Sequence, residues 1–144
     1  MFHEKSCGAI VFRDELAENG KSQKKVLMIK QLHSNRFSFP KGRVESGESE
    51  RETAQREVLE ETSVAIRITE SFRQTVSYSP RPGVQKQVVY FVASTETTDV
   101  SPQEGEISEV KWVDVEAAPR ILSHANDRRV LSMALDYVDG KKAE

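Results

Sequence analysis

The sequence predicts one α/β domain in which a mixed sheet lies between helices. Three observations point there. Several apolar, β-branched runs are separated by turn-rich segments, a capped helix stands in the middle of the chain, and an amphipathic helix lies near its end. At 144 residues the chain has the commonest domain size, so residues 1–144 are expected to form a single domain around one sizeable core.

The elements follow in order. "SCGAIVFR" is an unbroken apolar run, typical of a largely buried strand, and "KVLMIKQ" reads as the next strand after the polar surface loop "DELAENGKSQK". Residues 32–48, "LHSNRFSFPKGRVESGE", hold a proline, two glycines and scattered polar groups, and predict a long loop. Loops of that length in compact domains tend to be functional. A helix then opens at Ser49, whose partner three residues on, Glu52, completes a capping box. Ala54, Val58, Leu59 and Thr62 supply its core stripe. "VAIRI", "FRQTVSYS", "QVVYFVAS" and "EVKWVDV" read as further strands, broken by "PRPG" and "TTDVSPQEG". The last helix, "DRRVLSMALDYV", sets Val130, Leu131, Ala134, Leu135 and Val138 on one side and is expected to stop at Gly140.

Charge and cysteine content narrow the function classes. Lysine and arginine nearly balance aspartate and glutamate, leaving a formal net charge of −2, so no global basic field is available to hold nucleic acid or an anionic membrane. An anionic ligand must be recognised locally. Cys7 is the only cysteine and lies in an apolar run, which excludes an internal disulfide framework and suits a small core residue. The charged start "MFHEKSCGAIVFRDE" does not suit a signal peptide, and no run approaches a membrane span. These features predict a soluble, cytoplasmic protein. His3, His33 and His124 lack metal-ligand spacing and are expected to be surface or structural.

The central helix carries the chemistry. In "QREVLEETSV", Glu57, Glu60 and Glu61 share a face beside the arc of Ala54, Val58 and Thr62. Like charges three and four apart cost roughly 0.2–0.5 kcal/mol per pair. Carboxylates at the negative end of the helix dipole cost about 0.3–1 kcal/mol each. A solvated acidic face would interleave basic residues, yet the one nearby cation, Arg56, lies off this arc, where it can brace a carboxylate from the side. A hard divalent cation converts that repulsion into affinity, since Mg²⁺ takes oxygen ligands and completes its shell with water and phosphate. "GRVESGES" has the glycine spacing of a Walker phosphate loop, but Glu48 stands where that loop needs lysine.

Gly42, Glu48, Arg56-Glu57, Val58, Glu60-Glu61 and Val64 match G-x5-E-x7-R-E-U-x-E-E-x-G-U, with U aliphatic, at all but one position. The pattern resembles the Nudix box. Ser63 replaces its glycine, where a left-handed helix end is expected, at a cost on the order of 1 kcal/mol. The resemblance implies an α/β/α sandwich and a hydrolase of nucleoside diphosphates linked to another group. It implies Mg²⁺ or Mn²⁺ on Glu57, Glu60, Glu61 and the Gly42 carbonyl, with Arg56 orienting a glutamate. Glu60, or a carboxylate from a loop, would take the proton of the attacking water.

The flanks "SCGAIVF", "FPKGRVESGE", "SYSPRPGVQKQVVYF" and "EGEISEVKWV" are similar to the diadenosine tetraphosphate hydrolase branch of that family. The similarity implies phosphate contacts from Lys41 and Lys86, base stacking by Tyr78 one residue out of register, and a site near the metals for Glu106, six residues before Trp112. Glu106 sits in a turn-rich loop expected to be flexible, with Glu104 and Glu109 equally available nearby. Arg43 stands where a histidine often follows "PKG" and joins the substrate set, and Phe37 takes the usual tryptophan position. The expected partner is a small nucleotide, with neither nucleic acid nor membrane, and monomer and homodimer both open. Two other readings remain: a diphosphoinositol polyphosphate hydrolase, which would want a denser basic surface, and a Nudix-fold binding module without catalysis, which need not keep the three glutamates.

Overall fold

The computed structural model describes residues 1–143, with side chains for all except Glu70 and residues 141–143. In chain order the elements are β1 (Phe2–Leu16), β2 (Ser22–Gln31), β3 (Phe37–Ser38), β4 (Lys41–Arg43), α1 (Glu50–Thr62), β5 (Arg67–Arg81), β6 (Val84–Ser94), β7 (Ile107–Asp114), α2 (Ala118–Ile121) and α3 (Ala125–Ala143). The strands make one sheet in the order β3-β2-β1-β6-β5, with β4 added to β1 and β7 to β2. β1 and β6 run parallel from Phe2↔Val84 to Phe12↔Ser94, and every other pairing is antiparallel, so the sheet is mixed as the sequence predicts.

The continuous apolar runs of β1 and β6 exist because both faces of these strands are covered. Cys7, Ala9, Val11, Val89, Phe91 and Ala93 lie in the clusters that hold Ala54 and Val58 of α1. Ile10, Phe12, Val88, Tyr90 and Val92 lie in the cluster that holds Val130, Leu131 and Ala134 of α3. Alternation along the strand assigns each residue to one layer. Cys7 is fully buried, and burial followed by the neighbouring Glu50 pushes its thiol up to about 11, as befits a core residue.

The sheet forks between β1 and β2. On the edge of β1 away from β6, residues Phe12 to Leu16 pair with β2, while Ser6 to Gly8 pair with β4. One edge of β2 carries β7, and the other carries β1 and then β3. The segment 37–43 therefore crosses the fork, anchored by the buried Phe39. Two glycines permit the crossing: a Cβ on Gly8 would overlap the Pro40 carbonyl oxygen, and one on Gly42 would overlap the Glu57 carboxylate.

Several expectations need correction. The loop predicted at 14–24 is a hairpin, with only residues 17–21 outside the strands, where Gly20 takes φ 81°. The loop predicted at 32–48 contains β3 and β4. "FRQTVSYS" and the last two residues of "VAIRI" belong to one strand, β5, whose register against β6 breaks between Ile68 and Arg73, while the buried Val64 lies in the connection before it. Leu59 is 51 % exposed, because at about 100° per residue it falls outside the arc buried by Thr53, Ala54, Val58, Glu61 and Thr62. Gly140 does not stop α3, which runs to Ala143. Glycine ends a helix by turning left-handed, and Gly140 has no positive φ. Among the described residues no helix is long and apolar enough to cross a membrane.

α1 forms as its ends dictate. The Glu52 N–H donates to Ser49 Oγ at 3.1 Å and the Ser49 N–H to Glu52 Oε1 at 2.9 Å, closing the capping box. At the other end Ser63 is left-handed, at φ 68° and ψ 17°. The last carbonyls are taken up by the Ser63 N–H on Leu59, the Gln103 N–H on Glu61 and the Ser101 N–H on Thr62. Ser63 holds a conformation that disfavours a Cβ, so Ser63→Gly is expected to stabilise the fold by roughly 1 kcal/mol, read as a higher urea midpoint at unchanged slope.

Candidate active site

α1 places its acids at three depths. Glu61 is 9 % exposed, in the middle of the buried face, while the Glu57 side chain is 14 % and the Glu60 side chain 45 % exposed. Burial, then the neighbouring Glu57, raise the Glu61 carboxyl to about 8, against the Lys41 N–H that donates to its Oε1 at 2.8 Å. Burial also raises Glu57, opposed by Arg56.

Arg56 organises the rest. Its Nε and Nη2 grip Glu48 at 2.6 and 3.0 Å, its Nη1 reaches Glu57 at 2.7 Å and Glu60 at 3.2 Å, and Nη2 also donates to the Arg43 carbonyl at 3.0 Å. The bidentate grip lowers Glu48 to about 2 and raises Arg56 itself. Arg56 thus braces three carboxylates and ties the loop before α1 to the helix. With Glu57 and Glu60 turned to Arg56 and Glu61 to Lys41, no three histidine, cysteine or acidic side chains among the described residues converge on one metal-sized point.

Glu106 differs from its neighbours. It is among the charges that raise Glu61, whereas Glu109 pairs with Lys111 at 3.6 Å. Its loop is tied down: the Leu32 N–H donates to the Glu106 carbonyl and the Glu106 N–H to that of Gln103, beside the Ser101 and Gln103 bonds to α1. These backbone bonds link the loop to the end of α1 and to Leu32.

The substrate candidates gather on the other face of the sheet. Strand alternation puts Lys41 and Arg43 on the opposite side of β4 from the position where Gly42 meets Glu57. Glu4, Lys86 and Tyr78 are cross-strand neighbours on β1, β6 and β5. Lys41, Tyr78 and Lys86 line a cleft of about 500 Å³. Arg43 lies outside its lining and pairs with Glu4 at 2.9 Å. Burial, then Lys41, lower the Lys86 ammonium, and burial raises the Tyr78 hydroxyl. A second cavity of about 590 Å³, lined by Arg13, Lys24 and Tyr137, holds none of the predicted residues.

The cleft also contains residues the sequence did not disclose. Arg36 and Asp127 line it, and His124, expected to be surface or structural, stands exposed on its wall. Asp127 is 5 % exposed in the first turn of α3, accepts a hydrogen bond from the Tyr90 hydroxyl at 3.3 Å, and is raised by burial. In sequence it is one more acid at a helix start, a position acids favour anyway.

The raised Asp127 carboxyl predicts a pH signature. A carboxyl held above its unfolded value costs stability as pH rises from that value through the native one. Asp127→Asn is therefore expected to gain stability relative to the native protein as pH rises from 4 to 8, measured as the difference between their melting temperatures.

Comparison with known proteins gives the family. The NUDIX domain family model matches residues 5–134. The 8-oxo-(d)GTP phosphatase of Mycolicibacterium smegmatis is 31% identical over 131 residues, 88% of this chain and 40% of that protein. The chain thus spans about two fifths of the mycobacterial relatives it matches. The asymmetrical bis(5'-nucleosyl)-tetraphosphatase of Mus musculus is 30% identical over 120 residues, 79% of this chain and 81% of that protein. A C. elegans Ap4A hydrolase binary complex superposes with a TM-score of 0.84 at 26% identity, covering 95% of this chain and 98% of that one. Extending over nearly the whole chain and containing both the acidic helix and the cleft, the match makes this protein a member of the NUDIX domain family.

Proposed function

We propose that this chain is a divalent-metal-dependent pyrophosphohydrolase that cleaves diadenosine tetraphosphate asymmetrically to ATP and AMP. One observation carries the reading: the tripeptide Lys41–Arg43 presents cations to the cleft face while its central glycine backs onto Glu57. A phosphate chain lying in the cleft then meets the acidic helix around a single strand. The mouse tetraphosphatase, matched over most of its length, and the C. elegans Ap4A hydrolase support the choice of substrate.

The donor set fits a hard cation in kind. It is all oxygen, and it includes two carboxyls, Glu57 and Glu61, that burial disfavours as anions. Glu57, Glu60, Glu61 and the Gly42 carbonyl, with Glu106 beside Glu61, would hold Mg²⁺ or Mn²⁺, which when bound neutralises phosphate oxygens and acidifies water. The rest is the work of the chain. Lys41, Lys86 and Arg43 balance the charge of the phosphates, and Tyr78, 37 % exposed on the cleft wall, stacks on a base. Glu60, the most exposed acid of the three, accepts the proton of the attacking water, and Arg56 positions it.

Product analysis over dinucleoside polyphosphates, nucleoside triphosphates, sugar nucleotides and diphosphoinositols with Mg²⁺ tests the reading. Faster turnover of any class other than diadenosine tetraphosphate overturns the substrate. Mg²⁺ or Mn²⁺ is expected to raise the melting temperature by mass action. Glu60→Gln should lower turnover by orders of magnitude and leave the fold intact, and a fully active variant would remove Glu60 from the mechanism.

Glu106→Gln is expected to lower kcat more than it raises KM, while Glu104→Gln and Glu109→Gln have small effects. Equal, minor losses from all three leave proton removal to α1.

A further inference from the structure

We propose that Glu4, Arg43 and Arg81 form a clamp for the far end of a linear polyphosphate chain, so that the cleft reads chain length. This rests on the reading of the cleft as a phosphate site. A single carboxylate oxygen, Glu4 Oε1, takes the Arg43 guanidinium at 2.9 Å and the Arg81 guanidinium at 3.5 Å. The Glu4 side chain is 16 % exposed, while those of Arg43 and Arg81 are 70 % and 62 % exposed. Surface ion pairs of this kind ordinarily do little. Here one negative charge holds two arginines from separate elements together and leaves most of their N–H donors facing solvent, an arrangement that a further anion completes.

The position supplies the specificity. Glu4 lies opposite Lys86, and Arg81 lies opposite Val84, two residues further out on β6 and in line with Phe2. Cys7 lies opposite Gly42, three residues along β1 from Glu4, a span of about 10 Å. A diphosphate held at the acidic helix is too short to cover that span as well. A longer chain passes Lys41 and Lys86 and reaches the arginine pair. Ser79 Oγ bonds the Arg81 carbonyl at 2.8 Å and the Val84 carbonyl at 2.7 Å, fixing the turn that carries Arg81 whatever its side chain.

The test compares the native protein with Arg81→Ala and with Arg67→Ala, which removes the same charge from the far end of β5. Competition binding with inorganic tetrapolyphosphate and with pyrophosphate needs no turnover. Arg81→Ala should weaken tetrapolyphosphate about tenfold and pyrophosphate by less than about twofold, with Arg67→Ala below about twofold on both. In turnover, Arg81→Ala should raise KM for dinucleosides joined by four or more phosphates and leave kcat unchanged. Equal losses on the two anions, or losses matching those of Arg67→Ala, overturn the clamp. A native protein that binds tetrapolyphosphate through Arg81 but hydrolyses no dinucleotide sinks the proposed activity and leaves the clamp standing. Native-like length dependence in an active Arg81→Ala does the reverse.

Discussion

Arg56 is the tie on which the acidic face depends. Its planar guanidinium bonds Glu48, Glu57, Glu60 and the Arg43 carbonyl, so a loop, a strand end and a helix meet at one group. A lysine could supply the charge but not the fork of fixed donors. The like charges on α1 are tolerable together because each has a partner: Arg56 for two, and the Lys41 N–H for Glu61. The partners are unequal. An N–H dipole offsets little of the cost of burying a full charge, and Glu61 is accordingly the acid raised furthest into the neutral range.

The fork between β1 and β2 turns this local tie into a site. A closed sheet would keep the α1 layer and the α3 layer apart. With β2 leaving β1 beyond Phe12, the segment 37–43 runs through the gap, and its backbone bonds Glu61 of α1 at Lys41 and Ser123, ahead of α3, at Phe37. Lys41 shows the result within one residue, its N–H on Glu61 and its side chain on the cleft. Gly8 and Gly42 are the steric condition for that passage.

Much of this was legible in the sequence, and what was not has identifiable causes. The capping box, the left-handed Ser63 and the doubly buried strands are local consequences of residue type, and they fold as read. The position of the acids on α1 followed from helical period alone. Leu59 is exposed although apolar, because it lies roughly 100° or more from the centre of the buried arc, where geometry overrides hydrophobicity. Gly140 stays within α3 because a glycine can end a helix without being obliged to. The bend in β5, the fork and the cleft walls formed by Arg36, His124 and Asp127 depend on pairings between distant segments, which no local pattern encodes. Lys41, Tyr78 and Lys86 fell in one cleft because family resemblance carries long-range information that periodicity lacks.

The parallel pairing of β1 with β6 sets a temporal condition on the molecule. Phe2 faces Val84 and Phe12 faces Ser94, contacts that span more than half of the chain. Such closure must be achieved before those contacts offset its entropy, which makes parallel pairing intrinsically slow. During synthesis the apolar "CGAIVF" run emerges long before β6: Phe12 can pair with β2, and Cys7 and Gly8 with β4, but the edge that takes β6 stays bare until β6 has left the ribosome. The charged flanks of that run, Lys5 on one side and Arg13 and Asp14 on the other, stand where they would discourage two nascent chains from pairing edge to edge.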